Sequence, residues 1–175
     1  MNQSTILKNC FGILLFIFAF GYRSYAQDKI IKPNDRHIRY MGRMGQPTDS
    51  AATLCWTASS VRFNFYGSKV KAVMDDEDGK NYYDVIIDDT IKKILHLEKG
   101  RHSYVLCSGL KLSKHAFELF KRTEGAVGKT RIIDFQIDEN AKLLNAPAVS
   151  RRKIEFYGNS ITCGYGILDI AGKGS

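Results

Sequence analysis

From Val61 to Ile137 the chain alternates in period two, and this pattern limits the fold more than any other feature of the sequence. Val61, Phe63 and Phe65 alternate with Arg62, Asn64 and Tyr66, and Val70, Ala72 and Met74 with Lys69, Lys71 and Val73. Further on, Tyr83, Val85 and Ile87 alternate with Asp84, Ile86 and Asp88. Ile133, Phe135 and Ile137 alternate with Ile132, Asp134, Gln136 and Asp138. Successive side chains of a strand point to opposite faces, so each run sets one face on a core and turns the other towards water. Residues 38–41, 91–97, 103–107 and 115–122 read as further strands. Asp78-Gly79, Asp88-Asp89, Lys99-Gly100, Ser108-Gly109, Glu124-Gly125 and Gly128 supply turns at close spacing. No amphipathic stretch of helical period competes with them. The expected fold is mainly β, an antiparallel jelly roll or β-sandwich from about residue 36 to 140. Residues 27–46 read as a polar, exposed lead-in and 140–152 as a connector; the sandwich domain as a whole is taken as 27–145, with 146–153 as the linker proper.

The 26 residues at the N-terminus fall outside that fold. Lys8 precedes an apolar run from Phe11 to Phe20, and Ser24-Tyr25-Ala26 has the small-x-small pattern of a signal-peptidase site. The run is short for a membrane span, so a secretory signal cleaved near Ala26 is expected, with no stable membrane anchor. Cys10 lies before the apolar run, which argues against a lipid anchor. Loss of Lys8 and Arg23 lowers the formal net charge from +8 to +6. The remaining basic residues are dispersed, and Arg151-Arg152-Lys153 sits at the expected join between domains. No nucleic-acid partner is expected from that distribution. Cys55, Cys107 and Cys163 remain, an odd number without a CxxC pair. No cysteine metal site is expected; Cys55 and Cys107 read as buried thiols, with their pairing left open.

Only one stretch suggests a reaction. Ile154, Phe156 and Tyr157 read as a strand that Gly158 breaks, with Asn159-Ser160 at the turn that follows. A hydroxyl at a sharp strand-to-helix turn is lifted clear of the sheet, beside backbone N–H groups able to face an oxyanion. Gly-Asn-Ser is also ordinary turn chemistry, and a serine nucleophile needs a base. His37, His96, His102 and His115 all precede Ser160, in the region read as sandwich; His115 is expected to pack on a strand and His102 to be solvated. Asp75-Asp76-Glu77-Asp78-Gly79 lacks the alternate spacing of a calcium loop and reads as a charged hairpin, so no metal is expected. Trp56, Tyr66, Tyr82 and Tyr83 are candidates for a sugar-stacking platform or for packing.

The stretch Ile154 to Gly166 resembles the first block of the SGNH hydrolases, in the form found in carbohydrate esterase family 2, the acetyl xylan esterase-like enzymes. Arg39 to Arg43, Val61 to Gly67, Asp84 to Asp88 and Leu119 to Glu124 are similar to that family's N-terminal jelly-roll domain. The resemblance implies a secreted two-domain esterase, a β-sandwich beside an α/β domain of SGNH type, which removes acetyl groups from plant-cell-wall polysaccharide without a cofactor. Ser160 would be the nucleophile and its N–H an oxyanion donor, with Gly158, Asn159 and Thr162 supporting the motif. The family more usually has Asp where this chain has Asn159, a position that supports the turn and does not attack. The second oxyanion glycine, the third block and the catalytic histidine have no matching position here. The resemblance thus implies residues 154–175 as the start of a truncated hydrolase domain, in a fragment inactive alone. The alternatives are a non-catalytic secreted module that binds polysaccharide or protein, and a truncated gene product without function.

Overall fold

The computed structural model describes residues 27–149, 152 and 154–164. The expected signal sequence and residues 165–175 lie outside the described residues. Eleven strands are described: β1 Lys29–Ile31, β2 Arg39–Met41, β3 Ala52–Leu54, β4 Ser60–Gly67, β5 Val70–Asp76, β6 Tyr82–Ile87, β7 Thr90–His96, β8 Gly100–Cys107, β9 Ser113–Lys121, β10 Thr130–Ile137 and β11 Lys142–Leu143. They form two antiparallel sheets. In the first, β10 carries β1 and β3 end to end on one edge and β5 on the other, with β8 outside β5. In the second, β4 carries β2 and β11 on one edge and β9 on the other, followed by β6 and β7.

The inward residues of the alternating runs make one core between the sheets. Phe63 of β4 stacks on Phe117 of β9 at 4.6 Å and meets Phe135 of the opposite sheet edge-on at 5.2 Å. Burial of such aromatic surface drives the two sheets together. The antiparallel sandwich expected from the alternation is therefore what the chain forms.

Three expectations are corrected. The lead-in is no loose segment: β1 pairs with β10, Ile31 and Ile38 enter the core, and Asp28 pairs with Lys69 and Lys71 at 2.6 and 2.8 Å. The start of the connector belongs to the second sheet, because Ala141 is buried, β11 pairs with β4, and Leu144 N donates to Asn64 O. The parity of β10 shifts at a bulge between Ile132 and Asp134, which leaves Ile132 fully buried and Ile133 half-buried. One extra residue on a bulged strand turns every residue on one side of it to the other face.

Candidate active site

Residues 154–158 form no strand, which corrects the expected one. A strand exists only through ladder partners, and here Ile154, Phe156 and Tyr157 have none and are 77%, 81% and 84% exposed. The turn after them is formed. Asn159 Oδ1 accepts from Ile161 N at 3.0 Å, Cys163 N donates to Asn159 O at 3.3 Å, and Gly164 N donates to Ile161 O at 3.1 Å. Gly164 closes it at φ +72°. Gly158 is required by contact, since a Cβ there would collide with the Thr162 side chain. Asn159 thus holds the turn and Thr162 packs on Gly158, while Ser160 projects into solvent. Among the described residues no imidazole or carboxylate hydrogen-bonds the Ser160 hydroxyl.

A serine, a histidine and an aspartate do come together elsewhere. On β9, Ser113 Oγ lies 3.1 Å from His115 Nε2, and His115 Nδ1 lies 2.8 Å from Asp88 Oδ2. Asp88 is set for this by the β6–β7 hairpin, where Asp88 and Asp89 take φ +52° and +58°, the double left-handed turn of a two-residue hairpin. The hydrogen-bond arithmetic rules out a triad. His115 Nε2 also faces Lys111 O at 2.8 Å, and a carbonyl only accepts. With both ring nitrogens facing acceptors, Nε2 at Lys111 O and Nδ1 at Asp88, the arrangement favours the protonated ring. Partial burial works to lower its pKa, but the Lys111 carbonyl and the Asp88 carboxylate outweigh it and raise it. Partial burial likewise works to raise Asp88, and the bonds from His115 and Ala116 N overcome it. A protonated imidazole cannot take a proton from Ser113. The cluster clamps the β6–β7 hairpin to β9 instead.

The acidic run is not the hairpin loop expected. Asp76 ends β5 and is 1% exposed, accepting from Gly79 N at 2.7 Å, Asn81 Nδ2 at 2.8 Å and Thr130 Oγ1 at 2.6 Å. No cluster of three or more metal-ligating side chains occurs among the described residues. Of the candidate aromatics, Tyr83 is in the core and Tyr82 stacks on His96 at 4.3 Å. Trp56 is half exposed with the Arg43 guanidinium 5.6 Å from its ring centre. Tyr66 is exposed on β4, and with Tyr83 in the core the four build no common platform. His102 bonds to Lys99 O at 3.0 Å and is half-buried rather than free in solvent. Cys107 is buried, which pushes its thiol up to about 11, while Cys55 is half-buried beyond the end of β3. Cys55, Cys107 and Cys163 are all free thiols.

Sequence reasoning did not bring out the hollow on the outer face of the second sheet. It has a volume of about 570 Å³ and lies between His37, Asn64, Lys114, Ala116 and the strand-to-linker segment Leu144–Asn145. Asn64 Nδ2 donates to Asn145 O at 3.0 Å across it. The pairing that makes it spans 81 residues, so no local pattern announces it.

Comparison with known proteins agrees with this architecture. The chain is 34% identical over 129 residues to the cellulase/esterase CelE of Acetivibrio thermocellus, covering 74% of this chain and 16% of that protein. It is 29% identical over 143 residues to an acetylxylan esterase / glucomannan deacetylase of Cellvibrio japonicus, covering 82% and 40% respectively. A solved family two carbohydrate esterase from Cellvibrio japonicus superposes with a TM-score of 0.76 at 28% identity, over 85% of this chain and 44% of that one. The chain therefore spans less than half the length of each relative. The family model described as carbohydrate esterase 2 N-terminal matches residues 40–147, from β2 through the sandwich to the linker, and to that family this chain belongs.

Proposed function

We propose that this chain is the N-terminal part of a secreted carbohydrate O-acetyl esterase, with the sandwich as its non-catalytic support and Ser160 as its nucleophile. The observation that carries the reading is that the family match ends at Pro147 and a Gly-Asn-Ser turn, with its hydroxyl exposed, follows 13 residues later at Ser160. The acetylated polysaccharide named for the Cellvibrio japonicus relative gives the substrate class, and the signal-like N-terminus gives the route of export. In this reading Ser160 Oγ attacks the acetyl carbonyl carbon and passes its proton to a base. The oxyanion is met by the Ser160 N–H, the sugar hydroxyl leaves with a proton, and water then releases acetate from the acyl-serine. Residues 154–175 are read as the opening of the α/β domain that holds the base, because His115 is already spent between Asp88 and Lys111.

Hydrolysis of 4-nitrophenyl acetate and acetylated xylan tests this. The 175-residue chain should match its Ser160→Ala variant. The same chain continued at its C-terminus by the remaining portion of the Cellvibrio japonicus relative should release acetate and lose at least about 10³-fold on Ser160→Ala. A folded, continued chain without serine-dependent activity would overturn the assignment of Ser160, and serine-dependent activity in the chain alone would show that a base lies within it.

A further inference from the structure

The register of the second sheet places Met41, Ser60, Phe120, Asp84 and Ile94 in one row across β2, β4, β9, β6 and β7. The next row is Arg39, Arg62, Glu118, Ile86 and Ile91. Met41, Ile91 and Ile94 are 51%, 55% and 54% exposed, with Phe120 and Ile86 half-buried between them. Two ion pairs cross this face, Arg122–Asp84 at 2.8 Å and Arg62–Glu118 at 3.4 Å. The first sheet turns Lys71, Asp75, Arg101, Arg131, Asp134 and Gln136 outwards, with Ile30 and Val105 exposed on its two edge strands. Phe120, Ile86, Ile91 and Ile94 form an apolar cluster across β9, β6 and β7, the kind of surface that another protein surface covers.

The chain itself indicates the occupant. After β11 the backbone does not leave the molecule but lies along this face, through Leu144 N to Asn64 O at 2.8 Å and Asn64 Nδ2 to Asn145 O at 3.0 Å. Pro147 then borders a second hollow with Arg62, Ile86, Ala116 and Glu118. Seven residues beyond Pro147 begin the unpaired apolar residues Ile154, Phe156 and Tyr157. The linker is already seated on the outer face of the second sheet as far as Pro147, and the exposed apolar residues Ile154, Phe156 and Tyr157 follow it in sequence. We propose that this face, centred on Ile86, Ile94 and Phe120, is the seat of the α/β layer that opens at Ile154, so that the second sheet is sandwiched between its own core and the catalytic domain. The proposal rests on the reading of residues 154–175 as the start of that domain. Docking here would give 154–157 the covered surroundings a central strand requires and would fix the direction in which Ser160 faces.

Carbene footprinting of the full chain alone, and of the full chain continued by the remaining portion of the Cellvibrio japonicus relative, tests the proposal. In the continued protein, labelling of Met41, Ile86, Ile91 and Ile94 should fall at least three-fold, with Lys71, Arg101 and Arg131 unchanged. Ile94→Asp should restore labelling of the face in the continued protein and leave the melting temperature of the chain alone unmoved. Protection of the first sheet instead, or of neither sheet, overturns the proposal. Protection that grows with concentration in the chain alone points to a second copy as occupant and overturns it also. Should the continued chain not fold, the same portion of the relative added in trans to the full chain must give the same three-fold fall, and no fall counts against the proposal. Acetate release read on the same samples separates the two ideas: activity with an unprotected face sinks the docking site alone, and a protected face without activity sinks the esterase reading alone.

Discussion

Single residues at one end of the sandwich show how closely its polar groups are matched. Lys121 is fully buried, and its Nζ donates to Thr123 O at 2.8 Å, Thr123 Oγ1 at 3.1 Å and Glu124 O at 3.3 Å. These bonds hold the loop that leads into the 3₁₀ turn Gly125–Val127. Thr123 Oγ1 in turn donates to Asn81 Oδ1 at 2.6 Å, and Asn81 reaches Asp76, so an ammonium and a carboxylate share one buried network. Burial pulls the Lys121 pKa down to about 8, against the attraction of Asp76 and Glu124. An amine near 10.5 in the unfolded chain and near 8 in the folded one loses its proton on folding between those values. The unfolded state then binds more protons, so this group adds stability as pH rises from 8 towards 10. Urea unfolding should show the wild type gaining on Lys121→Met across that window, by on the order of 2 kcal/mol. A difference between the two that stays constant with pH would refute the buried-ammonium account.

At the scale of elements, β10 offers the sharpest contrast between pattern and structure. Simple alternation through Ile133, Phe135 and Ile137 sets Ile133 inside, whereas the bulge after Ile132 puts Ile132 in the core and turns Ile133 partly outwards. Ile132→Ala should therefore cost about 2–5 kcal/mol and Ile133→Ala under about 1 kcal/mol, measured by chemical denaturation. The reverse order would mean that the register shift is misplaced. The long strands were legible because each buries one full face against the other sheet. Strands of two or three residues were not: β1, β3 and β11 carry too few residues to show a period, and β1 sits among Pro33, Asn34 and Asp35, which favour turns. Those short strands exist because β10 and β4 each leave half an edge free, a fact of tertiary pairing that no local window contains. The Asp75–Gly79 run misled for a related reason. Its composition reads as a solvated turn, yet Asp76 finds three donors contributed by Gly79, Asn81 and Thr130, the last 54 residues away.

At the scale of the whole molecule, the sandwich closes its own core and the residues proposed to carry the reaction lie outside it. The turn at Gly158, Asn159 and Ser160 was legible because its chemistry is local, in a glycine without room for a Cβ and an asparagine capping Ile161 N. What surrounds Ser160 in a working site was not legible, because an oxyanion hole and a base are assembled from distant segments. The linker crossing the second sheet accounts for both facts: residues up to Leu144 belong to the sheet, and the described residues 154–164 have no share in its core. On this account the two parts of the chain are energetically separate until an α/β layer joins them. Thermal unfolding of residues 27–175 beside residues 27–149 tests that most directly. The account predicts one cooperative transition in each, with midpoints within about 1 °C, since a 1 kcal/mol contribution would move a domain of this size by several degrees. A midpoint several degrees lower in the shorter chain would contradict it, by showing that residues 150–175 already belong to the folded core.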